Sequence, residues 1–272
     1  MRIYLNTLGC ARNLVDSEVM AAALIKSGAQ MTQDPADADT IVVNTCSFIE
    51  SAINESVDTI LALAVYKKTG NCRQLIVTGC LPERFGEDIA AAIPEVDIFL
   101  GTGAYDQITE AIAGRFDAGT CLLPPPASRP LPTKAAGRHP STYPVAYLKI
   151  GDGCNRHCTY CVIPKLRGRL RSREAADILA EAEDLAAQGF KEIILIAQDT
   201  SAYGLDLTPP QSLADLLDRL AGILPDTRIR FLYGSPDHTD AALIAAVAKH
   251  PTLATYFDLP VQHVSAPVLK RM

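Results

Sequence analysis

The chain has 272 residues, 48% of them hydrophobic and 21% charged, and carries a formal net charge of −6. That composition excludes a disordered chain, the length suits about two domains, and the acidic balance leaves only a local basic patch to attract nucleic acid. No apolar run reaches the roughly 18 residues of a membrane helix. The first six residues read as a strand rather than a signal-peptide core, so a cytoplasmic protein with no membrane partner is expected.

From the start to about residue 120, short β-rich runs alternate with amphipathic stretches. Strands are predicted over 2–7, 40–44, 75–78 and 97–100. Helices are predicted over 14–27, stopped by Gly28, over a long 47–67, and over 83–93, stopped by Pro94. The alternation specifies an α/β fold, an open parallel sheet with helical crossovers, as an N-terminal domain over 1–122. Pro124, Pro125, Pro126, Pro130, Pro132, Pro140 and Pro144 then forbid helix or central strand, and a Pro-rich linker is expected over 123–143. Over 144–272 strands are predicted at 145–150, 192–197, 228–233 and 256–259, with helices at 174–188, 213–224 and 240–249. Four βα units describe a partial (β/α) barrel, too short to close. The last residues, 267–272, read as the opening of a helix that stops midway, so the chain is expected to be truncated at its C-terminus.

Eight cysteines in such a chain point to metal or catalysis rather than to disulfide staples. Cys154, Cys158 and Cys161 lie together in Gly153-Cys154-Asn155-Arg156-His157-Cys158-Thr159-Tyr160-Cys161, directly after the first strand of the second half. Iron–sulfur clusters are held by thiolates, usually four, so three leave one iron open to a substrate or cofactor. A zinc knuckle completed by His157, or cysteines that merely pack, are the alternatives; the zinc reading lacks the second cysteine pair such sites use. Cys10, Cys46 and Cys80 each follow a predicted strand, in Thr7-Leu8-Gly9-Cys10, Asn44-Thr45-Cys46 and Thr78-Gly79-Cys80. The carboxyl ends of parallel strands form the ligand crevice of an open sheet, so these three are expected to converge as a second three-thiolate site. Chance placement of buried cysteine is the alternative. Cys72 precedes its strand and Cys121 sits at the linker, and both read as structural or free thiols.

The spacing Cys154-x3-Cys158-x2-Cys161, with Tyr160 before the last cysteine, resembles the radical S-adenosylmethionine (SAM) signature. The resemblance implies a 4Fe–4S cluster whose open iron chelates SAM and whose electron splits the sulfonium bond to give a 5′-deoxyadenosyl radical. Two three-cysteine sites in this order resemble the methylthiotransferases, radical SAM transferases with an auxiliary 4Fe–4S cluster in an N-terminal domain. One branch of that family modifies a tRNA adenosine and another an aspartate of a small-subunit ribosomal protein. The segments Leu14-Val15-Asp16-Ser17-Glu18, Phe48-Ile49-Glu50-Ser51-Ala52 and Gln198-Asp199-Thr200-Ser201-Ala202-Tyr203-Gly204 resemble the second branch; the first more typically carries an Asn-Val-Asn type sequence at the last place. Ala11-Arg12 stands where the family has Pro-Lys, and the family's C-terminal TRAM domain is expected to be absent.

The implied mechanism takes hydrogen from the β-carbon of the target aspartate at the Cys154/Cys158/Cys161 cluster. Sulfur held at the Cys10/Cys46/Cys80 cluster couples to that carbon, and a second SAM supplies the methyl group. Radical chemistry suits an unactivated C–H bond that no side-chain base deprotonates at neutral pH. Implied partners are a small-subunit ribosomal protein or the ribosome, a reductant such as flavodoxin or ferredoxin, and a sulfur donor. A reading of another class is a non-catalytic iron–sulfur scaffold or electron carrier, which normally seals all four irons with cysteine.

Other signals are weaker. Lys165, Arg167, Arg169, Arg171 and Arg173 place a cation at every second position, on one side of an extended chain. This is either a solvated edge or a docking surface for an anionic substrate or a SAM carboxylate. Arg167 and Arg173 match family positions and join Tyr160, Gln198 and Asp199 as candidate cofactor-binding residues. Gln198 and Asp199 end a barrel strand, where barrel enzymes place functional groups, although Ser201 and Gly204 also suit a plain turn. Gly101-Thr102-Gly103 lacks the remainder of a dinucleotide fingerprint and reads as a helix lead-in. His263 follows a predicted strand and receives no role. No catalytic residue is expected beyond the cluster ligands.

Overall fold

Apolar runs bounded by amphipathic stretches become buried parallel strands in the computed structural model, which describes all 272 residues. The chain divides into two units, Met1–Pro130 with Ala136–His139 and Lys165–Arg167, and the remainder.

The first unit contains β1 (Arg2–Thr7), α1 (Ala11–Lys26), β2 (Gln30–Met31), β3 (Thr40–Thr45), α2 (Glu50–Ala64), α3 (Tyr66–Thr69), β4 (Gln74–Gly79), α4 (Cys80–Phe85), α5 (Asp88–Ala92), β5 (Ile98–Leu100), α6 (Ile108–Ile112) and β6 (Thr120–Leu122). The six strands are ordered β2-β1-β3-β4-β5-β6 and every pair is parallel. Ile41, Val43, Leu75 and Val77 point to one face and pack with Ile60 and Leu63 of α2. Val42 and Ile76 point to the other and pack with Met20 and Leu24 of α1. Both faces are covered, which is why β3 and β4 read as continuous apolar runs instead of alternating ones.

Three details differ from the expectation. The helix foreseen over 47–67 starts at Glu50 and is interrupted at Val65, and the one over 83–93 is divided at Gly86. β2 and β6 are two and three residues long, too short for an alternation to register, and β6 carries Cys121 into the sheet. The stretch between β6 and the next strand holds only two short 3-10 turns, Pro126–Ser128 and Lys134–Ala136. Its Arg129 and Arg138 are seated within the first unit, 3.6 Å from Asp16 and 3.3 Å from Glu18.

The second unit contains β7 (Val145–Lys149), β8 (Gly151–Asp152), α7 (Ile163–Arg167, its last three residues folding with the first unit), β9 (Arg171–Ser172), α8 (Ala175–Ala187), β10 (Glu192–Ile196), α9 (Leu213–Ile223), β11 (Arg228–Phe231), α10 (Ala241–Lys249) and α11 (Ala266–Leu269). β7, β10 and β11 form a parallel sheet in the order β11-β10-β7, and β8 pairs antiparallel with β9. Leu148, Ile193, Leu195, Ile229 and Phe231 from the strands pack with Ile178, Leu185, Leu216 and Leu220 from α8 and α9.

The strand expected over 256–259 is not formed. Asp258 instead accepts the backbone N–H of Tyr233 on its carboxylate (2.9 Å) and that of Gly234 on its carbonyl (3.0 Å), closing the turn after β11. Only an isolated bridge, Ile229 to Leu253, extends the sheet. The extended cation ladder over 165–173 is also not formed, because residues 163–167 are helical and Gly168 turns the chain at φ +73°. No helix is long and apolar enough to cross a membrane.

Candidate metal centres

β1, β3 and β4 end level with one another: Thr7 pairs with Asn44, and Asn44 with Thr78. The chain therefore leaves all three strands at one edge, and the three cysteines stand immediately beyond. A Cβ on Gly9 (φ +88°) would lie 2.6 Å from Cys46 Cβ and 3.0 Å from its Sγ, so the Cys10 loop rests directly on the second cysteine. Asn13 Nδ2 donates to Leu8 O (3.1 Å) and Thr45 O (2.9 Å), tying the first loop to the second. Ser47 Oγ donates to Cys80 O at 2.7 Å, tying the second to the third. Gly79 adopts φ +101°, and a Cβ there would meet Asn44 Oδ1 at 2.5 Å and Thr45 O at 2.7 Å. Gly79→Ala is accordingly expected to cost about 1–3 kcal/mol and to displace Cys80. Parental urea unfolding and parental iron uptake in that variant would contradict this.

Cations face this trio. Arg12 Nε donates to Cys10 Sγ at 3.4 Å, and Arg167 Nη2 lies 3.8 Å from Cys80 Sγ. Burial pushes the Cys10 thiol up, but Arg12, Arg167 and the bond with Asn13 outweigh it, so Cys10 sits below its ordinary value. Burial dominates at Cys46 and Cys80 and raises both. Three thiols, with guanidiniums beside them, are a donor set that suits an iron–sulfur cluster. No three His, Cys, Asp or Glu side chains converge closely enough to grip a single metal ion; a cluster instead spreads its thiolates over separate irons.

In the second unit Cys154 follows β8. Cys161 N donates to Cys158 O (3.0 Å), Cys154 N to Gly168 O (3.1 Å), and Arg156 N to Cys154 Sγ (3.4 Å). Burial raises the Cys154 thiol. The buried Asp152 carboxylate anchors the start of this loop, accepting from Lys149 Nζ (2.8 Å), Gly153 N (3.1 Å) and Gln198 Nε2 (2.6 Å). A cavity of about 340 Å³ opens beside Cys154, lined also by Arg156, Asp199, Asp206, Asp237 and His238. That volume falls in the range of small-molecule sites, about 300–1,000 Å³. Asp199 accepts from Arg156 Nε (2.9 Å) and Ser201 Oγ (2.7 Å), and His238 Nδ1 lies 3.3 Å away. Arg156 Nη1 also reaches Asp237 at 2.6 Å, and that bond holds the Asp237 carboxyl below its ordinary value.

The candidate cofactor residues separate accordingly. Asp199 lines the cavity, whereas Gln198 turns to Asp152 and leaves its Oε1 buried without a partner. Tyr160 is exposed beside the Cys158 thiol. Arg167 does not present a docking surface: it is 3% exposed and belongs to the Cys80 site. Arg173, 4% exposed, is engaged by Asp177 and by Glu181 at 2.7 Å, with Nη1 donating to Lys149 O, so its guanidinium is held by protein partners. His263 is exposed and accepts from Ser265 N. Asn13, Asp16, Arg156 and His238 were not foreseen. The available signal for the first two was their place on the buried face of α1, where apolar residues are expected.

Three thiols lie on the loop between β8 and α7, one of them, Cys154, on a ligand-sized cavity, and comparison with known proteins matches this part of the chain to radical SAM proteins. Residues 148–272 match the Radical SAM superfamily, and residues 2–101 the Uncharacterized protein family UPF0004. The ribosomal protein uS12 methylthiotransferase RimO of Desulfosudis oleivorans is 54% identical over 273 residues, covering all of this chain and 62% of that protein. The RimO of Geobacter sulfurreducens is 46% identical over 283 residues, covering all of this chain and 61% of that protein. The chain thus spans about three fifths of the length of the curated relatives it matches. A solved radical SAM methyltransferase, TsrM from Kitasatospora setae, with cobalamin and a 4Fe–4S cluster bound, shares the fold at TM-score 0.67 and 15% identity, over 98% of this chain and 62% of that one. Over its whole length the chain is thus similar to ribosomal protein uS12 methylthiotransferases, and its second half matches the Radical SAM superfamily.

Proposed function

We propose that the protein forms part of a methylthiotransferase that adds sulfur and a methyl group at the β-carbon of an aspartate in ribosomal protein uS12. The observation that carries this reading is the pair of cysteine trios, one in each unit: the first just beyond the carboxyl ends of the parallel strands β1, β3 and β4, the second on the loop after β8. The remaining thiols are committed elsewhere, Cys72 Sγ to Gln74 O and Cys121 Sγ to Gly86 O, so each site offers three cysteines and not the four of an electron carrier.

In this reading residues 144–272 act as the radical SAM domain, with Cys154, Cys158 and Cys161 holding one cluster, and Arg156, Asp199 and His238 orienting the ligand in the adjoining cavity. Residues 1–122 act as the auxiliary domain, joined by 123–143, with Cys10, Cys46 and Cys80 holding the second cluster. When bound, the first cluster supplies the electron that cleaves SAM. The chain's own part is to fix both trios and to enclose the ligand. An enzyme acting on a ribosomal protein would work in the cytoplasm and would need a low-potential reductant and a sulfur donor.

The full-length enzyme, reconstituted anaerobically with SAM, sulfide and dithionite, tests this against uS12 and against tRNA. A methylthio group on an aspartate, located by tandem mass spectrometry, is the expected result. Modification of a tRNA adenosine alone would overturn the substrate assignment.

A further inference from the structure

The first unit delivers fixed positive charge to its cysteine trio. Arg12 approaches Cys10 Sγ at 3.4 Å and Arg167 approaches Cys80 Sγ at 3.8 Å. Arg167 is braced from behind, with Nη1 2.7 Å from Asp16 Oδ2 and Nη2 donating to Asn13 Oδ1, both on α1. The Tyr105 ring lies 5.7 Å from its guanidinium. Lys165–Arg167 fold with the first unit although the residues on either side fold with the second. Thr102 Oγ1 donates to Leu166 O, and Lys165 Nζ to Arg84 O at 3.2 Å, which pins this short excursion of the chain. The guanidinium nearest the other trio is differently occupied: Arg156 is drawn to Asp199 and Asp237.

We propose that Arg12 and Arg167 are positioning residues that raise the reduction potential of the cluster held by Cys10, Cys46 and Cys80. An electron entering a cluster held by these cysteines would add negative charge to a group two of whose sulfur ligands lie within 4 Å of a guanidinium nitrogen, in a largely buried place where charge is weakly screened. N–H···S bonds and local net charge are two of the levers that set cluster potential. The reduced form gains more from both than the oxidised form does. Asp16 and Asn13 keep the Arg167 cation from swinging away, so the effect is built into the fold.

This rests on the cysteine trio being the ligand set, and the test separates the two ideas. The full chain carrying Cys154→Ala, Cys158→Ala and Cys161→Ala is reconstituted with iron and sulfide. It is then poised at stepped potentials with dithionite and mediator dyes, and the reduced cluster is counted by EPR. Arg12→Gln and Arg167→Gln should each hold about four irons. At the parent's midpoint each should show about a tenfold higher ratio of oxidised to reduced cluster, equivalent to about 59 mV for one electron. Arg167→Lys should recover most of that shift. Asp16→Asn/Arg167→Gln, which removes the buried pair together, provides the reading if Arg167→Gln alone does not fold. Full iron content with unmoved midpoints in Arg12→Gln and in the foldable Arg167 variant would overturn the proposal. A parent that takes up no iron would defeat the ligand assignment, and this inference with it.

Discussion

Cys10→Ala should lower the iron content of the reconstituted chain from about eight to about four and leave SAM cleavage running. Cys154→Ala should lose the same amount of iron and abolish cleavage. The physical reason is that the two trios lie in different units: Cys10 is gathered with Cys46 and Cys80 at the edge of the first sheet, whereas Cys154 borders the cavity lined by Arg156, Asp199 and His238. Iron analysis and the yield of 5′-deoxyadenosine under anaerobic reduction read the two effects separately. Loss of cleavage in Cys10→Ala as complete as in Cys154→Ala, with the Cys154 cluster still present in Cys10→Ala, would contradict the division of labour.

Asp16→Ala should destabilise the first unit by about 3–5 kcal/mol. The Asp16 side chain is fully buried, 2.7 Å from Arg167 and 3.6 Å from Arg129, and removing it takes a carboxylate away from two buried guanidiniums. Arg115 and Glu110 form an exposed pair in the same unit, where water screens the charges, and Glu110→Ala should change stability by no more than about 1 kcal/mol. Urea unfolding compares the two variants, with the first transition followed because two units need not unfold together. A parental midpoint in Asp16→Ala would show that the buried network contributes nothing. Low iron retention in a destabilised Asp16→Ala would tie that network to the Cys80 site.

Much of the fold is legible in residue order because its determinants are local. The runs Thr40–Thr45 and Gln74–Gly79 are apolar through their middles, and a strand buried on both faces requires that pattern. Gly28 and Pro94 stop helices for backbone reasons that need no partner. What escaped was either very short, as with β2 and β6, or decided by a partner distant in sequence. Residues 256–259 have strand-like composition, yet Asp258 is taken by the turn after β11. The cations over 165–173 alternate as in a strand, yet Gly168 turns the chain between Arg167 and Arg169 and sends their side chains to different surroundings.

The order of residues by itself established the six-cysteine pattern, the parallel α/β architecture and the resemblance to a family, because cysteine spacing on one loop, the place of a cysteine just after a strand and the βα period are properties of contiguous chain. Tertiary structure alone decided what surrounds those cysteines. Arg167 looks in sequence like part of a basic strip, and becomes a buried cation at Cys80 only because Asp16 and Asn13, about 150 positions earlier, are folded to meet it. Charge acts through distance and burial, and neither is written in the sequence until the chain has packed.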